Sequence, residues 1–187
     1  MSWVADIVRP MPITTRRAGP DDAAELHDVA ARTFGLACPP GTLQSDIDAF
    51  VAQHLSPEKF AEYLQDEHRI LLVAEADEAP VGYAMLVRGP VSDPDVRAVV
   101  DPESSIELSK FYLLAGRHGS GVAAALMAAT LEAAAATGAA SCWLGVNQRN
   151  IRAARFYEKC GFTVRGTKRF LVGEEWHDDH IRMRSLP

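Results

Sequence analysis

The sequence lacks any long hydrophobic run. No segment approaches the roughly 18 consecutive apolar residues that a membrane span needs. The first twelve residues contain Asp6, Pro10 and Pro12 in place of the apolar core of a secretory signal. We therefore expect a cytoplasmic protein with no membrane partner, and we expect residues 1–12 to be flexible.

Cysteine is scarce as well. The chain has 3 cysteines, Cys38, Cys142 and Cys160, without a CxxC motif or a histidine at zinc-ligand spacing. Reduced thiols are therefore expected. The segment 174–180 combines acidic residues with His177 and His180, which could indicate a metal site, but it offers no helical i,i+4 pair. A solvated acidic turn is favoured, and we expect no metal.

Positive charge is not in excess. The chain has 19 Lys+Arg against 25 Asp+Glu, a formal charge of -6, which argues against nucleic acid as the main partner. This acidity would suit a cationic substrate. A length of 187 residues with 48% hydrophobic and 24% charged content predicts a single globular domain over 1–187.

Strand and helix patterns alternate along the chain. A first strand over 13–18 precedes three helical patterns between 21 and 64, and 69–75 with 81–87 reads as a hairpin. The segment 89–103, rich in proline and acids, is predicted to be a loop; it either faces a substrate or merely connects two elements. The remaining predicted elements are a strand at 106–114, a long helix after 121, a strand at 141–147, a short helix at 150–160, and two strands at 162–172 and 180–186 around a turn.

A glycine-bearing loop joins the 106–114 strand to the long helix. The amide N–H groups of a helix N-terminus attract phosphate, and glycine lets the backbone approach closely. We therefore predict a site for a pyrophosphate-bearing cofactor here. The GxGxxA pattern at 119–124 also fits a dinucleotide-binding loop, but the preceding strand ends several residues too early and the next strand ends without a ribose-binding acid. The predicted anion-binding residues are His118, Gly119, Ser120, Gly121, Val122 and Ala123.

The order of these elements resembles a known family. Strand, anion loop, helix, strand and an Asn-capped helix with Phe156-Tyr157, followed by Gly161-Phe162, resemble the acyl-CoA-binding core of the GCN5-related N-acetyltransferase (GNAT) superfamily. The resemblance covers 106–166, the predicted cofactor-binding core, and is weaker from Ile13 onward. It implies an α/β (α+β) fold: a mixed, twisted, mostly antiparallel sheet of six to seven strands with helices on both faces.

Within this family the anion loop begins with Gln or Arg, so His118 is a departure. The resemblance implies acetyl-CoA (coenzyme A) as acyl donor. It also implies similarity to small bacterial acetyltransferases, some of which act on polyamines. Tyr157 falls at the position of a phenol that often protonates the leaving sulfur; the alternative is a core aromatic. The positions that the resemblance places beside the cofactor are Phe111, Tyr112, Leu113, Asn150 and Ala153.

The chemistry requires a neutral amine as nucleophile. A lysine-like amine with a pKa of about 10.4 costs on the order of 4 to 5 kcal/mol to deprotonate at pH 7. A carboxylate could accept that proton. The two-residue period of a strand predicts that Glu107 shares a face with Ser109, Phe111 and Leu113. Glu107 is therefore the candidate base, and a salt bridge at the sheet edge is the alternative.

Two functions of different class follow. The first is an acetyl-CoA-dependent N-acetyltransferase that moves an acetyl group directly to a primary amine of a small molecule or peptide. The second is a non-catalytic acyl-CoA-binding sensor domain of the same fold. Tyr157 favours the enzyme, because a binding module needs no phenol at that position. A homodimer and the identity of the acceptor are left open.

Overall fold

The computed structural model describes residues 12–116, 121–172 and 174–187. These residues form seven strands, six α-helices and a short 3-10 helix at Pro20–Asp22. The strands are β1 (Ile13–Arg17), β2 (Arg69–Ala76), β3 (Ala79–Val87), β4 (Ser105–Leu113), β5 (Ser141–Asn147), β6 (Thr163–Val172) and β7 (Glu175–Ser185). The helices are α1 (Ala23–Ala37), α2 (Gln44–His54), α3 (Pro57–Gln65), α4 (Pro94–Arg97), α5 (Val122–Ala136) and α6 (Ile151–Lys159).

All seven strands form one sheet in the order β1-β2-β3-β4-β5-β7-β6. Every neighbouring pair is antiparallel except β4 and β5, which are parallel. The parallel pair needs a crossover, which α5 supplies. The predicted mixed, mostly antiparallel sheet is confirmed.

Helices cover both faces of the sheet, as predicted. On one face α1 buries Leu26, Val29 and Phe34, spaced for one helical side, against β2 and β3. On the other face lie α5 and α6, whose apolar side chains meet the alternate residues of β2 to β5. The two cores hold the central strands between them, so the positions of β4 and β5 are fixed from both sides.

The predicted hairpin over β2 and β3 is confirmed. Its turn places Asp77 at φ 55° and Glu78 at φ 60°. Two consecutive residues with positive φ are typical of a type I′ turn, whose twist matches that of the flanking strands.

The third helix, α3, also begins as predicted, because the Ser56 hydroxyl accepts a hydrogen bond from the Lys59 N–H at 3.2 Å.

Two local predictions were wrong. Strand β7 begins at Glu175, so His177 and Asp179 lie in a strand and not in a solvated turn. The segment 89–103 contains the short helix α4, which buries Val96 against Trp143 and Ile181. Its four residues are too few for a helical period to stand out in the sequence. No helix of the described ranges is long and apolar enough to cross a membrane.

Candidate active site

Strands β4 and β5 separate halfway along their length. They pair only through Ser105–Glu107 and Ser141–Trp143. Beyond this point β4 stays with β3 as far as Leu113, and β5 stays with β7 as far as Asn147. The strands therefore open into a wedge, and the facing backbone groups of β4 have no sheet partner on that side.

Two cavities meet at this wedge. One, of about 250 Å³, extends toward α5 and includes Leu113 and Ala123 in its wall. The other, of about 240 Å³, extends toward β6 and β7 and includes Glu107. Their shared wall consists of Ala37, Phe111, Tyr112, Asn150, Ala153 and Tyr157. Groups bound in the two cavities would therefore both contact these residues.

The cavity toward α5 is suited to a long ligand with an anionic end. Helix α5 begins beside it, after Gly121 with φ 88°. This conformation is left-handed and favours glycine. The Val122 side chain is 1% exposed, so only its backbone can face a ligand. Three predicted loop residues, His118, Gly119 and Ser120, lie outside the described residues.

Helix α6 places Tyr157 at the junction of the cavities. Asn150 caps the helix, and its Oδ1 accepts a hydrogen bond from the Ala153 N–H at 3.1 Å, as predicted. The Tyr157 ring packs edge-on against Phe111 at 6.3 Å and against Phe162 at 5.9 Å between centroids. Burial raises the pKa of Tyr157 above the usual 10, so the phenol keeps its proton at neutral pH.

Strand β4 contains a bulge that changes its faces. Met85 pairs with Lys110 and Leu86 pairs with Leu108, so Ser109 has no partner on β3. The expectation that Glu107 shares a face with Phe111 and Leu113 was therefore wrong.

Glu107 instead lies on the opposite face of the sheet, together with Lys110 and Tyr112, and both Glu107 and Tyr157 line the cavity toward β6. A strict two-residue period cannot show such an irregularity, because one unpaired residue reverses every position that follows it.

Burial shifts the charged groups of this second cavity. It raises the pKa of the Glu107 carboxyl, although the positive charges of Lys168, Lys110 and Arg69 act in the opposite direction. Burial also lowers the pKa of Lys110 to about 8, against the attraction of Glu107. The pKa of Asp179 is raised, again mainly by burial. Clustered, perturbed groups in a cavity are typical of functional sites.

The comparisons with known proteins agree with this geometry. The acetyltransferase (GNAT) family matches residues 38–162. Uncharacterized N-acetyltransferases of Mycobacterium tuberculosis and Mycobacterium bovis are each 50% identical over 165 residues, covering 88% of this chain and 98% of the relative. The chain belongs to the GNAT family. The crystal structure of PaiA N-acetyltransferase from Thermoplasma acidophilum, in complex with coenzyme A, has a TM-score of 0.76 at 21% identity, covering 94% of this chain and 99% of that one.

This GNAT chain is therefore an acetyltransferase. The cavity toward β6 and β7 contains residues to which the sequence patterns assigned no part in the reaction. Lys168 on β6 and Asp179 on β7 pair across the two strands and line the cavity with His177. Asp179 and His177 could have been found from the sequence. They lie two and four residues before the apolar residue Ile181, so in a strand they share its face of the sheet.

The helical side of the cavity was not foreseen either. Phe34 and Phe50 stack at 4.3 Å between centroids to form its wall, and neither residue lies in a motif. Within the described part of the chain, no group of three or more His, Cys, Asp or Glu could hold a metal ion.

Proposed function

We propose that this GNAT acetyltransferase moves an acetyl group from acetyl-CoA directly to a primary amine of a small molecule or peptide, with both substrates bound at once. The observation that carries the proposal is the shared wall of the two cavities. Tyr157 lies in that wall, between the space toward α5 and the space that contains Glu107. A thioester in one cavity and an amine in the other would meet beside this phenol.

The cavity toward α5 has the features that coenzyme A requires. The N-terminus of α5 offers amide N–H groups and a partial positive charge to the pyrophosphate. The unpaired edge of β4 at Phe111, Tyr112 and Leu113 offers backbone groups to the pantetheine amides and the acetyl carbonyl. The wall of the same cavity includes Arg152 and Ala153, close to the cap of α6.

Glu107 is suited to receive the proton of the amine. As the amine nitrogen attacks the thioester carbon it must lose a proton, and the carboxylate accepts it directly or through water. Burial raises the pKa of the Glu107 carboxyl, which makes its carboxylate a stronger base. The position on the acceptor side of the wedge matches this role.

Tyr157 is suited to assist the leaving group. When the carbon–sulfur bond breaks, the thiolate gains a hydrogen bond and then the proton of the phenol, which solvent restores. Because burial raises the pKa of Tyr157, the donor stays protonated across the physiological range. A sensor domain would bind acetyl-CoA in the same cavity but would show no turnover.

The proposal is tested by following release of the CoA thiol from acetyl-CoA. Polyamines, amino acids, peptide amino termini and aminoglycosides serve as acceptors, and the wild type is compared with Tyr157→Phe and Glu107→Gln. We expect turnover with one class of amine and a loss of about 10²- to 10⁴-fold in each variant. Tight acetyl-CoA binding without turnover on any amine would favour the sensor domain instead.

The remaining sequence predictions accompany this proposal. A cytoplasmic location, a single domain over 1–187 and the absence of nucleic-acid or membrane partners fit an enzyme that uses a soluble cofactor and a small acceptor. A homodimer stays open. Size-exclusion chromatography with light scattering measures the oligomeric state, and fractionation of the cells measures the location.

A further inference from the structure

The cavity toward β6 and β7 holds the amine in the proposed function and is called the acceptor-side cavity from here on. It contains charges of both signs. Glu107 and Lys110 reach it from β4, whereas Lys168 and Asp179 reach it from β6 and β7. Among the described residues, no ion pair of 4.0 Å or less joins any of these four side chains to each other or to another residue. Opposite charges that face a cavity without contacting each other are each available to a ligand group.

Lys168 is held in place at the cavity wall. Its ammonium lies 5.9 Å from the ring centroid of Trp143 and 6.0 Å from that of Phe170. A Cβ at position 145 would lie 2.6 Å from the Lys168 Cε, so Gly145 leaves the room in which the lysine side chain lies. The side chain thus crosses from β6 over β7 to β5, and Lys168 lines the cavity.

A second lysine, Lys110, lies in the wall of the same cavity. The chain has four lysines, and two of them, Lys110 and Lys168, line this cavity. A polyamine would find Glu107 and Asp179 for two of its ammonium groups, but the ammonium at Asp179 would also lie beside Lys168, which pairs with Asp179 across β6 and β7 and repels it. The charge of the whole chain suits a cationic substrate, but the charges at the site suit an acceptor that also carries an anionic group.

His177 adds a polar atom in need of a partner. Its Nε2 is buried and has no hydrogen-bond partner among the described residues. The Glu175 carboxylate is 4.0 Å away, too far for a hydrogen bond. Buried polar atoms are rarely left without a partner. Since His177 lines the same cavity, a rotation of its ring would bring this nitrogen to a polar group of a bound acceptor.

The size and the wall of the cavity limit the acceptor further. Its volume of about 240 Å³ is below the range of roughly 300–1,000 Å³ found for drug-sized ligands. One wall is aromatic, formed by the stacked rings of Phe34 and Phe50, with Phe170 at 6.1 Å from Phe50. A small molecule with an apolar side chain fits these dimensions.

We propose that the acceptor is a small α-amino acid with an apolar side chain, whose amine faces Glu107 and whose carboxylate is bound by Lys168. The proposal rests on the proposed function and names its substrate class. Both charges of such a zwitterion find an opposite charge in the cavity. A dipeptide carries the same carboxylate farther from its amine, and the small volume favours the free amino acid.

The test compares acceptors that differ only near the carboxylate. Thiol release is measured with leucine, leucinamide and the dipeptide leucyl-glycine, for the wild type, Lys168→Met and the exposed-lysine control Lys159→Met. The ratio of kcat/KM between variant and wild type is formed for each acceptor, which cancels the different amine pKa values of the acceptors. Gly145→Ala, which keeps the lysine but fills its space, serves as a second variant if Lys168→Met does not fold.

We expect leucine to be the best of the three acceptors when kcat/KM is expressed per concentration of neutral amine. Lys168→Met should lower kcat/KM for leucine by about 10-fold or more, the range of a lost charged hydrogen bond, and leave leucinamide nearly unchanged. Equal losses on both acceptors would overturn the proposal. They would show that Lys168 acts only on the pKa of Glu107 and does not bind the carboxylate of the acceptor. On the same scale, preference for leucinamide, the dipeptide or a diamine would also overturn it while leaving acetyl transfer intact. The absence of thiol release with every amine would overturn the proposed function itself.

Discussion

The Lys110→Met substitution should make the protein more stable at neutral pH. Lys110 lies in the wall of the acceptor-side cavity, where burial lowers its pKa from 10.5 to about 8. The folded state therefore binds the lysine proton more weakly than the unfolded chain does. A difference of about 2.5 pKa units corresponds to up to about 3 kcal/mol of unfolding free energy at 1.36 kcal/mol per unit. Methionine fills a similar volume without the charge.

The sign of the pH dependence follows from the same shift. Below about pH 8 the lysine is protonated in both states, and the wild type bears the full penalty. Between pH 8 and 10.5 the unfolded chain holds the proton that the folded chain has released, so wild-type stability rises with pH relative to the variant. Above 10.5 the penalty disappears, and the two proteins should be equally stable.

Urea unfolding followed by tryptophan fluorescence measures this difference at pH 7 and at pH 10.5. The exposed Lys159→Met variant controls for the loss of a lysine as such. A Lys110→Met protein that is less stable than wild type at pH 7, or a difference that does not change with pH, would refute the reasoning. A buried lysine that lowers the stability of the folded protein is expected to serve its function, so Lys110→Met should also lower kcat/KM.

Three further predictions concern the site directly. Tyr157→Phe should lower kcat by about 10²-fold or more in the thiol-release assay with acetyl-CoA binding unchanged by calorimetry; a loss of binding alone would contradict the leaving-group role. The kcat/KM of the wild type should fall as pH drops through the raised pKa of Glu107, because protonation removes the base, and Glu107→Gln should abolish this acidic limb of the pH profile. Gly145→Ala should fold but raise the acceptor KM by displacing Lys168, whereas Gly166→Ala, whose Cβ would meet Val99 methyls at 3.3 Å, should leave that KM unchanged.

Much of the structure around the cavity toward α5 could be predicted from the sequence, because its features are local. The glycine before α5, the Asn150 cap and the Phe156-Tyr157 pair lie within a few residues of the helix ends that they define. Propensity and spacing act over the same short range, so the predicted ends of α5 and α6 were confirmed. The contact of these residues with a cofactor stays a prediction.

The cavity toward β6 and β7 depends on contacts between distant segments. The bulge at Ser109 reverses the faces of β4, and only its pairing with β3 reveals it. Lys168 and Asp179 become neighbours through the pairing of β6 with β7, and both reach β5 only because β7 lies between β5 and β6. A glutamate in a strand, a lysine in another and an acid near a turn have no pattern in common. Their joint position in one cavity is a property of the sheet order.

The most direct test of direct acetyl transfer uses acetyl-CoA with an isotopically labelled acetyl group. The protein is incubated with this donor and one amine at a time, and the acceptor and the intact protein are then weighed by mass spectrometry. The account predicts one labelled acetyl group on the acceptor nitrogen, no label on the protein, and loss of the product in Tyr157→Phe. Label on the protein itself, or label released only as acetate, would contradict it.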